Sequence, residues 1–192
     1  IWNFVQDYDN PLTYQVQGLT AQTQYHYQAY AVVGVDTIWG STVNFTTACG
    51  AITTIPWTDF FDTYGSGSSS YFPTCWLRNS AGTTTAPYIS STNASGPGSL
   101  YFSASSTTVN RVMAVSPMFD FSIPINTLKA EFKMRAGATD DTLIVGVMND
   151  PADATTFVPV STISLTTTGT FQDREVFFNN YTGTGQYIAF RV

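Results

Sequence analysis

An all-β fold is predicted by three features of the sequence. Threonine, serine, tyrosine, phenylalanine and valine dominate the 192 residues, and lysine occurs only at Lys129 and Lys133. These residue types suit half-buried pleated surfaces. Residues 128–136 then alternate strictly, with Leu128, Ala130, Phe132, Met134 and Ala136 on one face and Lys129, Glu131, Lys133 and Arg135 on the other. A period of two sustained over such a run is a strand with one wet face. Lastly, similar runs recur between clusters of Gly, Pro, Asn and Asp, whereas helical periodicity is hard to find.

Taken in order, the runs predicted as strands are Thr13–Gln17, Tyr25–Val33, Thr42–Thr46, Ser99–Ser105, Arg111–Ser116, the alternating segment 128–136, Leu143–Met148, Arg174–Phe178 and Gln186–Val192. Tyr25, Tyr27, Ala29 and Ala31 share one face of the second run, which leaves His26 on the opposite one. Ile188, Phe190 and Val192 alternate with Tyr187, Ala189 and Arg191 in the last, a strand with one face on a core. Asp150-Pro151-Ala152-Asp153 reads as a turn, in which Asp holds the backbone and Pro fixes φ.

Composition excludes several classes. Charged residues are 10% and aromatics 15%, the reverse of a disordered chain. No apolar run is long enough for a membrane helix. Seven basic residues against thirteen acidic give a net charge of −6, which repels a nucleic-acid backbone. Two cysteines and one histidine are too few for a zinc or iron–sulfur site. The chain starts Ile1-Trp2-Asn3 and stops within an apolar alternating stretch, so it is expected to be a window onto a longer chain. An open strand there leaves unpaired edge groups, which a further strand or another chain would cover.

Residues 1–48 carry one resemblance. Leu19-Thr20-Ala21-Gln22-Thr23-Gln24-Tyr25, followed by Tyr27, Ala29 and Ala31, resembles the tyrosine-corner segment of fibronectin type III domains. There the tyrosine hydroxyl bonds back to upstream backbone. Trp39-Gly40 and Val43-Asn44-Phe45-Thr46-Thr47 resemble that family's last strand, so the resemblance implies the C-terminal part of a β-sandwich whose early strands precede Ile1.

Residues 49–192 carry a second. Cys49-Gly50, Ile55-Pro56-Trp57-Thr58-Asp59-Phe60-Phe61-Asp62 and Pro73-Thr74-Cys75-Trp76 resemble the opening of MAM-like jelly rolls. They are closer still to the cleaved-adhesin or "choice-of-anchor" domains of Bacteroidota surface proteins. Val115-Ser116-Pro117, Val145-Gly146-Val147-Met148-Asn149-Asp150-Pro151, Thr156-Phe157-Val158-Pro159-Val160 and Tyr181-Thr182-Gly183-Thr184-Gly185 extend the likeness. It implies a jelly-roll β-sandwich, truncated at its C-terminus because the family's last strand would follow Val192. It also implies a modular protein secreted to the cell surface by type IX secretion.

In an extracellular chain the even pair Cys49 and Cys75 is expected to form a disulfide, stabilising by roughly 3–4 kcal/mol on chain-entropy grounds; two buried free thiols are the alternative. A hydrolase needs a nucleophile with a base, or paired carboxylates. His26 faces outward, and Glu131 and Glu175 lie in polar stretches as solvated charges, so no enzyme is predicted. Structural calcium is the cofactor the jelly-roll resemblance raises. Its oxygen ligands would come from loop carboxylates, Asp62 first, with Asp59 and Asp141, although no dense acidic loop is present. Sugar binding would draw on exposed aromatics, for which Trp57, Tyr64, Tyr71 and Trp76 are the candidates; packing is the competing use of such rings. Asp36-Thr37-Ile38 and Asp141-Thr142-Leu143 fit the Asp-Thr-aliphatic O-glycan pattern at Thr37 and Thr142. Asn44, Asn93 and Asn180 fit the eukaryotic N-glycan pattern. The leading functional expectation is a non-catalytic surface adhesin or filament segment. Its partners are flanking domains, neighbouring subunits, and surface glycans or proteins. The alternatives are an ancillary, carbohydrate-binding module of a secreted protease or glycosidase, and a structural spacer.

Overall fold

The computed structural model describes residues 15–80, 86–103, 112–139 and 141–192. The chain divides into two units, Ile1–Ala48 and Cys49–Val192. In the first, β1 (Gln24–Val33) and β2 (Asp36–Thr46) form an antiparallel hairpin. Gly34 takes φ +66° in its two-residue turn, and Val35 is not among the positive-φ residues. That is the type II′ pattern, whose twist matches the strands it joins. β2 begins at Asp36 rather than Thr42, because Ile38 and Trp39 continue the ladder opposite Ala31 and Tyr30. An irregularity between the Gln28–Thr42 and Tyr30–Trp39 pairs breaks the alternation that would have revealed the longer strand. Of the first predicted strand, residues 15–17 are not in a strand, and residues 13 and 14 lie outside the described set.

The tyrosine bond expected in this unit forms. The Thr20 N–H donates to the Tyr25 hydroxyl at 3.0 Å, and that donor holds the hydroxyl below the usual phenol range. Thr47 closes the hairpin's open end, donating its N–H to the Thr23 carbonyl at 3.0 Å and accepting the Thr23 N–H on its hydroxyl at 3.0 Å. Tyr27, expected to face inward, is instead 58% exposed. The described sheet has two strands, so its rings pack on one another: Phe45 lies 6.0 Å from Tyr25 and 6.2 Å from Tyr27.

The second unit contains β3 (Leu77–Asn79), β4 (Tyr88–Ser90), β5 (Ser99–Tyr101), β6 (Met113–Val115), β7 (Lys129–Met134), β8 (Thr142–Met148), β9 (Val158–Ser164), β10 (Gln172–Phe177) and β11 (Tyr187–Arg191). Single 3-10 turns occur at Ile125–Thr127 and Ala154–Thr156. One antiparallel sheet has the order β3-β6-β11-β8-β9, and β7–β10 and β4–β5 are two-stranded. β7 shows the predicted alternation, with Lys129, Glu131 and Lys133 exposed and Ala130, Phe132 and Met134 half-buried.

Period two sends alternate residues of β8 and β11 to opposite faces. Leu143, Val145, Val147 and Ile188 meet Val176 and Phe178 in the main core, with Phe132 and Phe190 packed beside them. On the other face Met113, Val115, Met148 and Ala189 are covered by Phe157. Gly146 faces that ring, and a Cβ there would strike both Phe157 and the Val158 carbonyl.

β11 pairs with β6 on one side and β8 on the other. The expected sheet pairing of residues 187–192 is therefore present. The open-edge reason for a covering strand does not apply to β11, because both of its edges are already bonded.

Candidate functional site

The Cys49–Cys75 disulfide forms, with Cα atoms 5.6 Å apart. Next to Cys75, Trp76 is buried at 7% exposure, and its indole N–H donates to Asp59 Oδ2 at 3.0 Å. The Tyr64 hydroxyl donates to the same oxygen at 3.0 Å, while Asp59 Oδ1 accepts the Phe61 N–H at 2.9 Å. Asp59 is thus the hub of the loop that the disulfide closes. Burial, and after it the Asp59 carboxylate, pushes the Tyr64 hydroxyl up to about 12.

This loop forms the backing of the β4–β5 hairpin. Gly96 allows the Asp62 carboxylate to lie against the hairpin loop, and Gly98 approaches so closely that a Cβ would sit 2.5 Å from the Phe61 carbonyl oxygen and 2.7 Å from Ile89 Cγ2. On the other edge of β4, Ile89 donates its N–H to the Tyr71 carbonyl at 3.0 Å and accepts from Gly67 at 2.8 Å. Ile89 is fully buried. Its neighbours Tyr88 and Ser90 therefore point away from this backing.

The register pairs Tyr88 with Tyr101 and Ser90 with Ser99, so these four side chains share the outward face. The tyrosine rings lie 4.9 Å apart at 52°, and Tyr101 is 41% exposed. Ser90 Oγ accepts the Thr92 N–H at 3.1 Å, which leaves its own proton free to donate. Ser99 Oγ donates to the Thr92 carbonyl, which leaves lone pairs free to accept. The face combines two rings, one open donor and one open acceptor, with no formal charge.

The predicted aromatics separate accordingly. Trp76 and Tyr64 are anchors bonded to Asp59; Trp57, at 37% exposure, and Tyr71, at 42%, keep open surface. Trp57 packs on Trp76 and Phe119 at 6.1 and 6.2 Å, and the Tyr71 ring covers Gly65. Tyr101 was missed by the sequence reading. Its signal is the mirrored pair Tyr88-Ile89-Ser90 and Ser99-Leu100-Tyr101 around a Ser-, Gly- and Pro-rich turn.

Of the carboxylates considered for calcium, Asp59 is held by three donors, and Asp141 Oδ2 accepts from Gly137 and Ala138 at 3.0 and 2.8 Å. Among the described residues no group of three or more His, Cys, Asp or Glu converges. Asp59, Asp62 and Asp141 therefore do not come together as one such group. His26 stands exposed on β1 opposite Asn44. Glu131 and Glu175 lie on the exposed face of β7 and β10, where Lys129 bonds them at 2.8 and 3.0 Å. Thr37 is exposed beside the β1–β2 turn, and half-buried Thr142 shares a hydroxyl hydrogen bond with Ser164 at 3.2 Å. A hollow of about 320 Å³ lies between Val158–Val160 and Asn180–Gly183.

No family model matches the chain, and no curated protein matches it. Among solved structures, the crystal structure of the K2 cleaved adhesin domain of Lys-gingipain aligns with a TM-score of 0.52 at 16% identity, covering 70% of this chain and 87% of that one. The likeness is one of fold. Both chains share an all-β architecture, and no helix among the described residues is long and apolar enough to cross a membrane.

Proposed function

We propose that the chain is a non-catalytic, adhesin-type binding segment of a larger protein secreted to the cell surface. The fold shared with a cleaved adhesin domain carries this reading. The Cys49–Cys75 disulfide supports it, since such bonds persist in oxidising compartments. The finer assignment is a fibronectin type III-like part over residues 1–48 and a MAM-like jelly roll over 49–192. The Thr20–Tyr25 corner bond favours the first half of that assignment.

An antiserum raised against the 192-residue chain tests the reading on intact cells of the source organism. Labelling of unpermeabilised cells, lost after gentle surface proteolysis, is expected. Antigen found solely after lysis would overturn it.

A further inference from the structure

We infer that the outward face of β4–β5 is a docking ledge for one neutral pyranose unit of a glycan, an assignment that rests on the adhesin reading and names its ligand class. The rings of Tyr88 and Tyr101 form a tilted pair, and a ring face carries the negative lobe of its quadrupole. The axial C–H bonds of a pyranose present a weakly positive apolar face that fits it. Along each strand the serines stand two residues from the tyrosines, about 7 Å away at the usual strand rise. That is close to the width of one sugar ring with its hydroxyls.

The polar groups match as well. A sugar hydroxyl is both donor and acceptor, and the free proton of Ser90 and free lone pairs of Ser99 offer one of each. No side chain among the four is charged, so nothing on the face selects a sulfate or carboxylate. An extended peptide adds along a ladder edge and not on a side-chain face, and the Tyr71 segment already occupies the β4 edge. The backing makes the ledge rigid, because Ile89 is fully buried beneath it and Gly98 seats against Phe61. Little ordering is then required on binding.

Saturation-transfer NMR on the full chain tests the ledge, with methyl glycosides of glucose, galactose and mannose as probes and methyl glucuronide as the charged control. Transfer to ring C–H protons of at least one neutral glycoside is expected, together with shifts of the Tyr88 and Tyr101 ring signals. Tyr101→Ala should weaken binding at least tenfold, while Tyr101→Phe keeps the stacking surface and stays within about threefold, a difference under 1 kcal/mol. A dispersed amide spectrum verifies that each variant is folded. Transfer that survives Tyr101→Ala, preference for the glucuronide, or no transfer from any neutral glycoside would each overturn the ledge. Binding of a proline-rich peptide to the same rings in place of the sugars would do so too. Surface labelling by antiserum does not depend on these side chains. Intact labelling with a silent ledge therefore discards the ledge alone, and absent labelling with sugar binding discards the surface assignment alone.

Discussion

The β1–β2 hairpin pairs strands of ten and eleven residues, yet none of their residues is buried. The β4–β5 hairpin pairs three with three, and its central Ile89 is fully buried. Length of ladder and depth of burial run in opposite directions. Ladder bonds exchange water for backbone partners at small net gain, and a two-stranded ribbon is marginal by itself. What fixes β4–β5 is its backing: the Asp59 loop on one side, the Tyr71 segment along its edge, and two glycines that admit close approach. Function that needs a rigid surface is better served by the shorter element.

That contrast can be broken most directly at the disulfide. Replacing Cys49 and Cys75 together by Ala should lower the stability of the second unit by about 3–4 kcal/mol. Urea unfolding followed by Trp76 fluorescence would report it. Amide signals of β1–β2 should be unchanged, and equal loss in both hairpins would contradict independent backing. Truncation sharpens the comparison further. Ile89→Ala should cost about 3 kcal/mol by the usual cavity penalty. Tyr27→Ala removes more atoms from an exposed cross-strand pair and should cost under about 1 kcal/mol.

An effect smaller than that of Ile89→Ala is expected at Asp59. Asp59→Ala strands the buried Trp76 indole N–H and should cost about 2 kcal/mol. The Tyr64 hydroxyl then titrates closer to its usual value. In the native chain its value of about 12 lies above the ordinary 10.0, so the folded state holds the phenol proton more tightly than the unfolded one. The associated stability is complete below pH 10 and declines as pH rises through about 12. Phenolate absorbance should show one late-titrating tyrosine that disappears in Tyr64→Phe. A Tyr64→Phe titration identical to that of the native chain would refute the contact.

Where side chains alternate over several residues, the fold was legible. β7 and β11 follow their sequence patterns closely, because one face meets a core and the other meets water or a second packed layer. β9 escaped, since Pro159 argues against a strand and the register shift beside it disturbs the period. β3 is three residues long and carries no period at all. The aromatic opening segment could be read as important, but its division into anchors and open rings could not. That division depends on which rings Asp59 reaches, and Asp59, Tyr64 and Trp76 are separated in sequence. Tyr88 and Tyr101 likewise become a pair only through hairpin register.

The place of β11 in its sheet bears on when the second unit can fold. A ribosome or an export channel delivers β3, β6, β8 and β9 before it, yet β11 is the strand that joins β6 to β8. Until it emerges, Val145, Val147 and Val115 have no neighbour to complete their layers. Non-local pairing of this kind is slow to form, and the earlier strands meanwhile expose sticky edges. Completion of the β3-β6-β11-β8-β9 sheet is thereby deferred until β11 has been delivered.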